Sequence, residues 1–195
     1  MYDPFPNRIR FTRRLCSTLY DSGYLTERYE LIDGEILLRM GNGPAHRNAL
    51  ILVHAWLASV FGLLSIQNQS AIDVGTADPE HNEPVPDLAV TKAPPSHYAE
   101  ANPGPEDLSL VVEIADTSLR TDRTVKASLY ARAGIQEYWV VDVNGRRIYV
   151  YRQPDPAGYK EVAVYGETES IATLARPNDV ISVAAILPTT NANAS

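Results

Sequence analysis

Two carboxylates and one lysine stand out for type and setting: Asp87 in VPDLAV, Glu113 in the apolar run LSLVVEIA, and Lys126 in the helical segment that follows, ahead of QEYWVVDV. In an extended chain Leu108, Leu110, Val112 and Ile114 share one face, while Ser109, Val111, Glu113 and Ala115 share the other. Both faces are largely apolar, the pattern of a strand covered on both sides of a sheet. An unpaired charge there costs on the order of several kcal/mol. Glu113 must therefore be paired, protonated or bound to a metal ion. Each residue also has a plain structural role open to it. Asp87, after Pro86, could cap a turn; Lys126 could lie on a solvated helix face; Glu113 could form an ion pair with Lys126 or Arg123.

The elements that must position these groups follow in chain order. Arg8, Arg10, Arg13 and Arg14 form a small basic cluster before the turn signal Asp21-Ser22-Gly23, read as a solvated extension or short helix. RYELI and EILLRM flank Asp33-Gly34, a pair that tolerates the positive φ of a tight hairpin. Glu30 and Glu35 flank that turn, either as solvated cross-strand partners or as side chains projecting into a site. Gly41-Asn42-Gly43-Pro44 breaks the strand, and residues 46–64 have helical spacing with apolar residues nearly all round, which predicts a buried helix. His46 and His54 lie two turns apart on it, not at the i, i+4 spacing of a metal pair. His54 reads as a core or interface residue, and His46, at the open helix start, is a candidate to face a site.

SAIDVG, residues 70–75, reads as a strand, and residues 76–86 and 93–107 as polar, proline-containing connections, the second exposed and mobile. Asp116, Thr117 and Ser118 offer capping oxygens for a helix over 119–133 that Gly134 ends. Arg123, Lys126 and Tyr130, at i, i+3 and i+7, share a face of it. EYWVVDV is a strand by composition, Asn144-Gly145 turns into RRIYVYR, and GYKEVAVY and NDVISVAAIL are expected to extend the sheet at its edges.

The chain has 195 residues, enough for one compact domain, and a net charge of −7. That balance argues against clamping nucleic acid over the whole surface, whose affinity comes largely from phosphate neutralisation, and leaves room for one local cleft. A single cysteine excludes an internal disulfide framework and cysteine-based metal sites, and favours a reducing compartment. No apolar run is long enough to span a bilayer and the N-terminus lacks a signal-peptide core, so no membrane role and a cytoplasmic location are expected. Gly-rich phosphate loops, GxSxG elbows, zinc-spaced Cys/His clusters and internal repeats are absent from the sequence.

The αβββαβ order, with acids at the second and third strands, resembles the PD-(D/E)XK nuclease superfamily. More narrowly the chain is similar to the Uma-two-like putative restriction endonuclease family through YELIDGEIL, GPAHRNAL, PDLAV, LVVEIADTSLRTDRTVK and LYARAGIQEYWVVD. The resemblance covers roughly residues 24–187. It implies a mixed α/β, restriction-endonuclease-like core with extra N-terminal and C-terminal β-hairpins; residues 1–23 read as an extension before it, and the tail PTTNANAS, residues 188–195, has nothing to pack and is expected to be disordered. The superfamily lysine lies two positions after the glutamate, where this chain has Ala115, so the resemblance implies that Lys126 takes its role.

It further implies hydrolysis of DNA phosphodiester bonds assisted by Mg²⁺ or Mn²⁺, ions suited to hard oxygen ligands. Asp87, Glu113 and the carbonyl of Ile114 would hold the ion, and Lys126 would orient water or stabilise the transition state. Glu30, Glu35 or His46 could complete the shell, with Arg123 and Tyr130 alongside. The competing reading is an inert interaction or structural module in which Glu113 pairs internally with Lys126. A homodimer is compatible with both.

Overall fold

The computed structural model describes residues 9–39 and 43–189. Arg8, the Gly41-Asn42 break and residues 190–195 of the expected tail lie outside the described residues. Among the described residues, a six-stranded mixed sheet runs in the order β3-β4-β5-β6-β7-β8. Its strands are β3 (Ile66–Asn68), β4 (Leu88–Thr91), β5 (Leu108–Ala115), β6 (Glu137–Asp142), β7 (Arg147–Asp155) and β8 (Gly158–Gly166). β5 and β6 are parallel and the other neighbours antiparallel. A parallel pair needs a crossover. Here it is the helical segment α3 (Leu119–Thr121), a π-helical turn (Asp122–Lys126) and α4 (Ala127–Ala133).

β5 is covered on both faces, as its alternation predicts. Leu110, Val112 and Ile114 pack with Ala49, Val53 and Leu57 of α2 (Pro44–Phe61), where Trp56 stacks on Trp139 of β6 at 5.8 Å. Val111 and Ala115 pack on the other side with Leu129 and Tyr130 of α4. Glu113 shares that second face and so points at the crossover helix. Gly134 closes α4 at φ 81°, the left-handed position glycine accepts freely.

The hairpin of β1 (Tyr29–Ile32) and β2 (Glu35–Leu38) turns at Asp33 and Gly34, with φ of 49° and 80°. It lies over the α4 side, where Asp33 meets Arg132 at 2.7 Å and Ile32 joins the second core. The helix α1 (Arg13–Asp21) precedes it. Two residues of the basic cluster are tied down, Arg10 by Asp78 and Arg13 by Asp73 and Glu83, while Arg14 on the short helix is exposed.

Several expectations are corrected. SAIDVG is not a strand of the sheet; the edge strand is β3, and Gln69, at φ 49°, turns the chain away so that Ile72 and Val74 fill the second core. α2 buries one face, not its whole circumference: Ile51 is 63% exposed and His54 half-buried. NDVISVAAIL does not extend the sheet. β10 (Arg176–Ser182) pairs with β9 (Ser170–Thr173) in a separate hairpin, while GYKEVAVY does form the edge strand β8. The α-helix expected over 119–133 is interrupted because Ala127 N–H bonds to the carbonyl of Asp122, five residues back, and the Tyr138 hydroxyl donates to that same carbonyl at 3.0 Å.

Candidate active site

β4 pairs with β5 only as far as Leu88 opposite Val112. Continuing that register by one residue sets Asp87 beside Glu113. Beyond this point the β4 side of β5 is open, and the N–H of Ile114 projects into the gap to donate to Asp87 Oδ2 at 2.9 Å. In an extended strand a residue's N–H and C=O point to the same side, so the Ile114 carbonyl faces the same opening. Asp87 Oδ2 also meets His46 Nε2, from the first turn of α2, at 3.1 Å. Its Oδ1 accepts from Arg39 at 3.2 Å and from Gln69 at 3.4 Å. Burial works against the charged form of Asp87, and hydrogen bonding and charge from His46, with Ile114 N–H and Arg39, more than offset it and hold the carboxyl below its usual range.

Glu113 is 3% exposed. Its Oε1 accepts from Lys126 Nζ at 2.9 Å and from the Tyr130 hydroxyl at 3.0 Å, and Oε2 takes part in neither bond. Lys126 Nζ lies equally close, 2.9 Å, to Glu30 Oε1, and 4.0 Å from Asp122. Burial pushes the Glu113 carboxyl well above the ordinary range; Lys126 opposes this, and Asp122, Asp87 and Glu30 add to it. Burial likewise raises Asp122 to about 6, against the pull of Lys126 and Ser118. For Lys126, burial would lower the pKa, but Glu113, Glu30 and Asp122 together drive it upward, so the side chain is a permanent ammonium near neutral pH.

These groups open into a cleft of about 590 Å³. Five carboxylates line it (Glu30, Asp87, Glu113, Asp116 and Asp122), facing Arg39, Lys126 and His46. The donors are hard oxygens and carboxylates outnumber fixed cations, so the set fits a divalent cation of the Mg²⁺ class. Among the described residues no three acidic, histidine or cysteine side chains are grouped to hold a metal by themselves.

Asp87, Glu113, Lys126, Tyr130, Glu30, His46 and the main chain of Ile114 thus come together, and Arg123 and Glu35 do not. Arg123 donates to the Tyr151 hydroxyl at 3.3 Å and stacks 3.8 Å above the Tyr149 ring. The π-turn adds a residue between it and Tyr130, so the i, i+3, i+7 face does not hold. Glu35 shares a hairpin face with Glu30, through Ile32 opposite Glu35 and Glu30 opposite Leu37, but it sits at the turn end and is exposed. Asp122, Arg39 and Gln69 were not anticipated. Asp122 had a signal in its i, i+4 spacing to Lys126. Arg39 and Gln69 reach Asp87 only through the tertiary fold.

A sheet with this strand order, a crossover after its central strand and carboxylates at the strand ends defines the restriction-endonuclease-like class of mixed α/β folds. The profile of the family described as "Uma2: Putative restriction endonuclease" matches residues 18–184, and the chain belongs to that family. Among solved structures it is similar to one described as a putative nuclease belonging to DUF820 from Anabaena variabilis, at 17% identity and a TM-score of 0.64, over 86% of this chain and 96% of that one. No curated protein matches the chain. No helix among the described residues is long and apolar enough to cross a membrane.

Proposed function

We propose that this chain is a divalent-cation-dependent endonuclease that hydrolyses phosphodiester bonds of DNA in the cleft beside Glu113. The observation that supports it is the crowding of Glu30, Glu113 and Asp122 around the single Lys126 ammonium, a charge distribution that a bound dication would complete. In this reading Asp87, Glu113 and the Ile114 carbonyl hold Mg²⁺ or Mn²⁺. When bound, the ion supplies an activated water and neutralises charge on the phosphoryl oxygens.

Lys126 donates one N–H to Glu113 and ion-pairs with Glu30, and in this reading it turns a remaining N–H to a phosphoryl oxygen or the attacking water. With its pKa raised it serves as a cation and donor, not as a general base. Tyr130 and Lys126 fix Oε1 of Glu113, which leaves Oε2 for the cleft, and His46, Arg39 and Ile114 N–H keep Asp87 ionised. The water oxygen bonds to phosphorus, one P–O ester bond breaks, and the departing oxygen leaves protonated. A homodimer, compatible with this reading, belongs to the proposal.

The test is calorimetric titration of Mn²⁺ into wild type and Glu113→Ala, then incubation with supercoiled plasmid alongside Asp87→Ala. Wild type is expected to bind the ion and nick the plasmid; Glu113→Ala should do neither, and Asp87→Ala should not nick. Full nicking by both variants overturns the proposal. The internal Glu113–Lys126 pair at 2.9 Å favours a second reading, an inert interaction module. That reading expects no Mn²⁺ binding even by wild type.

A further inference from the structure

Beside the acidic cleft lies a second one of about 560 Å³ with the opposite character. Tyr20 of α1, Tyr29 at the start of β1, Arg28, Arg39, Asn68 and Gln69 line it, and no carboxylate among the described residues does. The two clefts are continuous in chemistry: Arg39 lines both, and Gln69 donates to Asp87. Tyr20 is 52% exposed, and its ring lies 6.2 Å from that of Tyr29 at an interplanar angle of 51°. Rings so tilted do not sandwich a ligand, but each offers a face. Arg28 is exposed and forms no ion pair among the described residues, in a chain whose net charge is −7.

Aromatic faces, guanidinium groups and side-chain amides in one concavity are the equipment for an unpaired nucleotide. The rings stack on the base, the unpaired Arg28 meets a flanking phosphate while Arg39 stays with Asp87, and the Asn68 amide offers a donor and an acceptor to the base edge. A stacked duplex offers no base face to such a pocket, and a net charge of −7 disfavours an affinity built on neutralising many duplex phosphates. The size falls within the range of small-ligand sites. Resting on the nuclease reading above, we infer that this cleft binds an unpaired nucleotide next to the scissile phosphate, so that the preferred substrate is a strand with a single-stranded segment, such as a flap or gap, rather than an uninterrupted duplex.

The test uses wild type, Tyr20→Ala and Arg28→Ala, both changes being at exposed positions outside the acidic cleft. Fluorescence anisotropy in EDTA measures binding of a labelled single strand, a flapped duplex and an intact duplex of equal length; cleavage of the same substrates is then followed with Mn²⁺. Single-strand and flap binding tighter than duplex binding is expected. Tyr20→Ala should weaken it on the order of ten-fold, the usual effect of losing one stacking ring. Arg28→Ala should lower the salt dependence by about one phosphate contact, a slope change of about 0.7 for a single strand. Equal binding of flap and duplex, or unchanged single-strand binding in both variants, overturns the inference. If wild type nonetheless cuts plasmid in a Glu113-dependent way, the nuclease reading stands without it. Absence of all nucleic-acid binding and cleavage removes both.

Discussion

Glu137 and Glu113 are glutamates on adjacent strands, 0% and 3% exposed, and they face opposite electrostatic situations. Glu137 is saturated: Oε1 accepts from Arg152 Nη2 at 2.6 Å, Arg152 Nε at 2.9 Å and Trp139 Nε1 at 3.1 Å, and Oε2 accepts from Leu174 N at 2.7 Å. One acid meets one arginine, and the remaining donors are neutral. The pair ties the β9–β10 hairpin to the main sheet, since Arg152 also donates to the carbonyl of Ala172. Glu113 instead shares one ammonium with Glu30, lies in the field of Asp122 and Asp87, and lines a cleft. Burial of a charge is thus not what marks a site. The mark is a charge surplus that the protein leaves unbalanced where solvent or a ligand can reach it.

The comparison breaks most readily at Glu137. Glu137→Ala leaves Arg152, the Trp139 indole N–H and Leu174 N–H without their acceptor, and is expected to cost about 4 kcal/mol, the scale of breaking a buried pair from one side. Glu113→Ala removes one of several crowded acids and leaves Lys126 with Glu30 and Asp122, so its unfolding in urea and EDTA should stay close to wild type. Equal destabilisation by the two substitutions would mean that the Glu113 cluster is a structural pair after all.

Lys126→Met sharpens the same contrast from the cationic side. It strips Glu30, Glu113 and Asp122 of their shared partner and should cost about 3 kcal/mol near pH 8. The penalty should shrink near pH 5, because burial raises the carboxyls of Glu113 and Asp122 and favours their protonated forms there. A loss independent of pH would show that Lys126 acts through packing of its methylenes.

A smaller effect isolates Asp122. Its carboxyl is raised from 3.8 to about 6, so it contributes stability that is fully present below its unfolded value and is lost as pH rises through about 6. Asp122→Asn abolishes this loss. The stability of the variant relative to wild type, measured without metal, should rise by about 2 kcal/mol between about pH 4 and about pH 8. A flat difference would place the excess proton on another carboxyl of the cluster.

Much of this arrangement was legible in the sequence. The Asp33-Gly34 turn, the doubly apolar strand around Glu113 and the helix ending at Gly134 each follow from local rules that their surroundings do not override. What was not legible depends on distant partners. β3 is three residues long, too short to show alternation, whereas Ile72 and Val74 alternate like a strand only because they fill a core from an irregular segment. The π-turn exists because Tyr138, on a later strand, supplies a hydroxyl to the Asp122 carbonyl. That turn is also why Arg123 leaves the face of Lys126 and Tyr130. Nothing local separates Glu137 from Glu113 in kind. Glu137 reads as a strand-boundary residue until Arg152 and Leu174 are seen to converge on it.

The smallest expected effect tests the same contrast within one hairpin. Glu30 and Glu35 share a face of the β1–β2 hairpin, but Glu30 is two residues from the turn and meets Lys126, whereas Glu35 adjoins the turn and is exposed. Two further residues along a strand correspond to about 7 Å, enough to carry the Glu35 carboxylate outside the cleft. Glu35→Gln should therefore change stability by less than about 0.5 kcal/mol, the ordinary surface range, and leave plasmid nicking unaltered. Glu30→Gln, measured beside it, should slow nicking while leaving the fold intact, because it withdraws one of the two carboxylates that hold the ammonium in place. Equal nicking rates for the two variants would show that the inward face of the hairpin has no part in positioning Lys126. The surplus of charge that sets Glu113 apart from Glu137 would then come from β5 and the crossover helix alone.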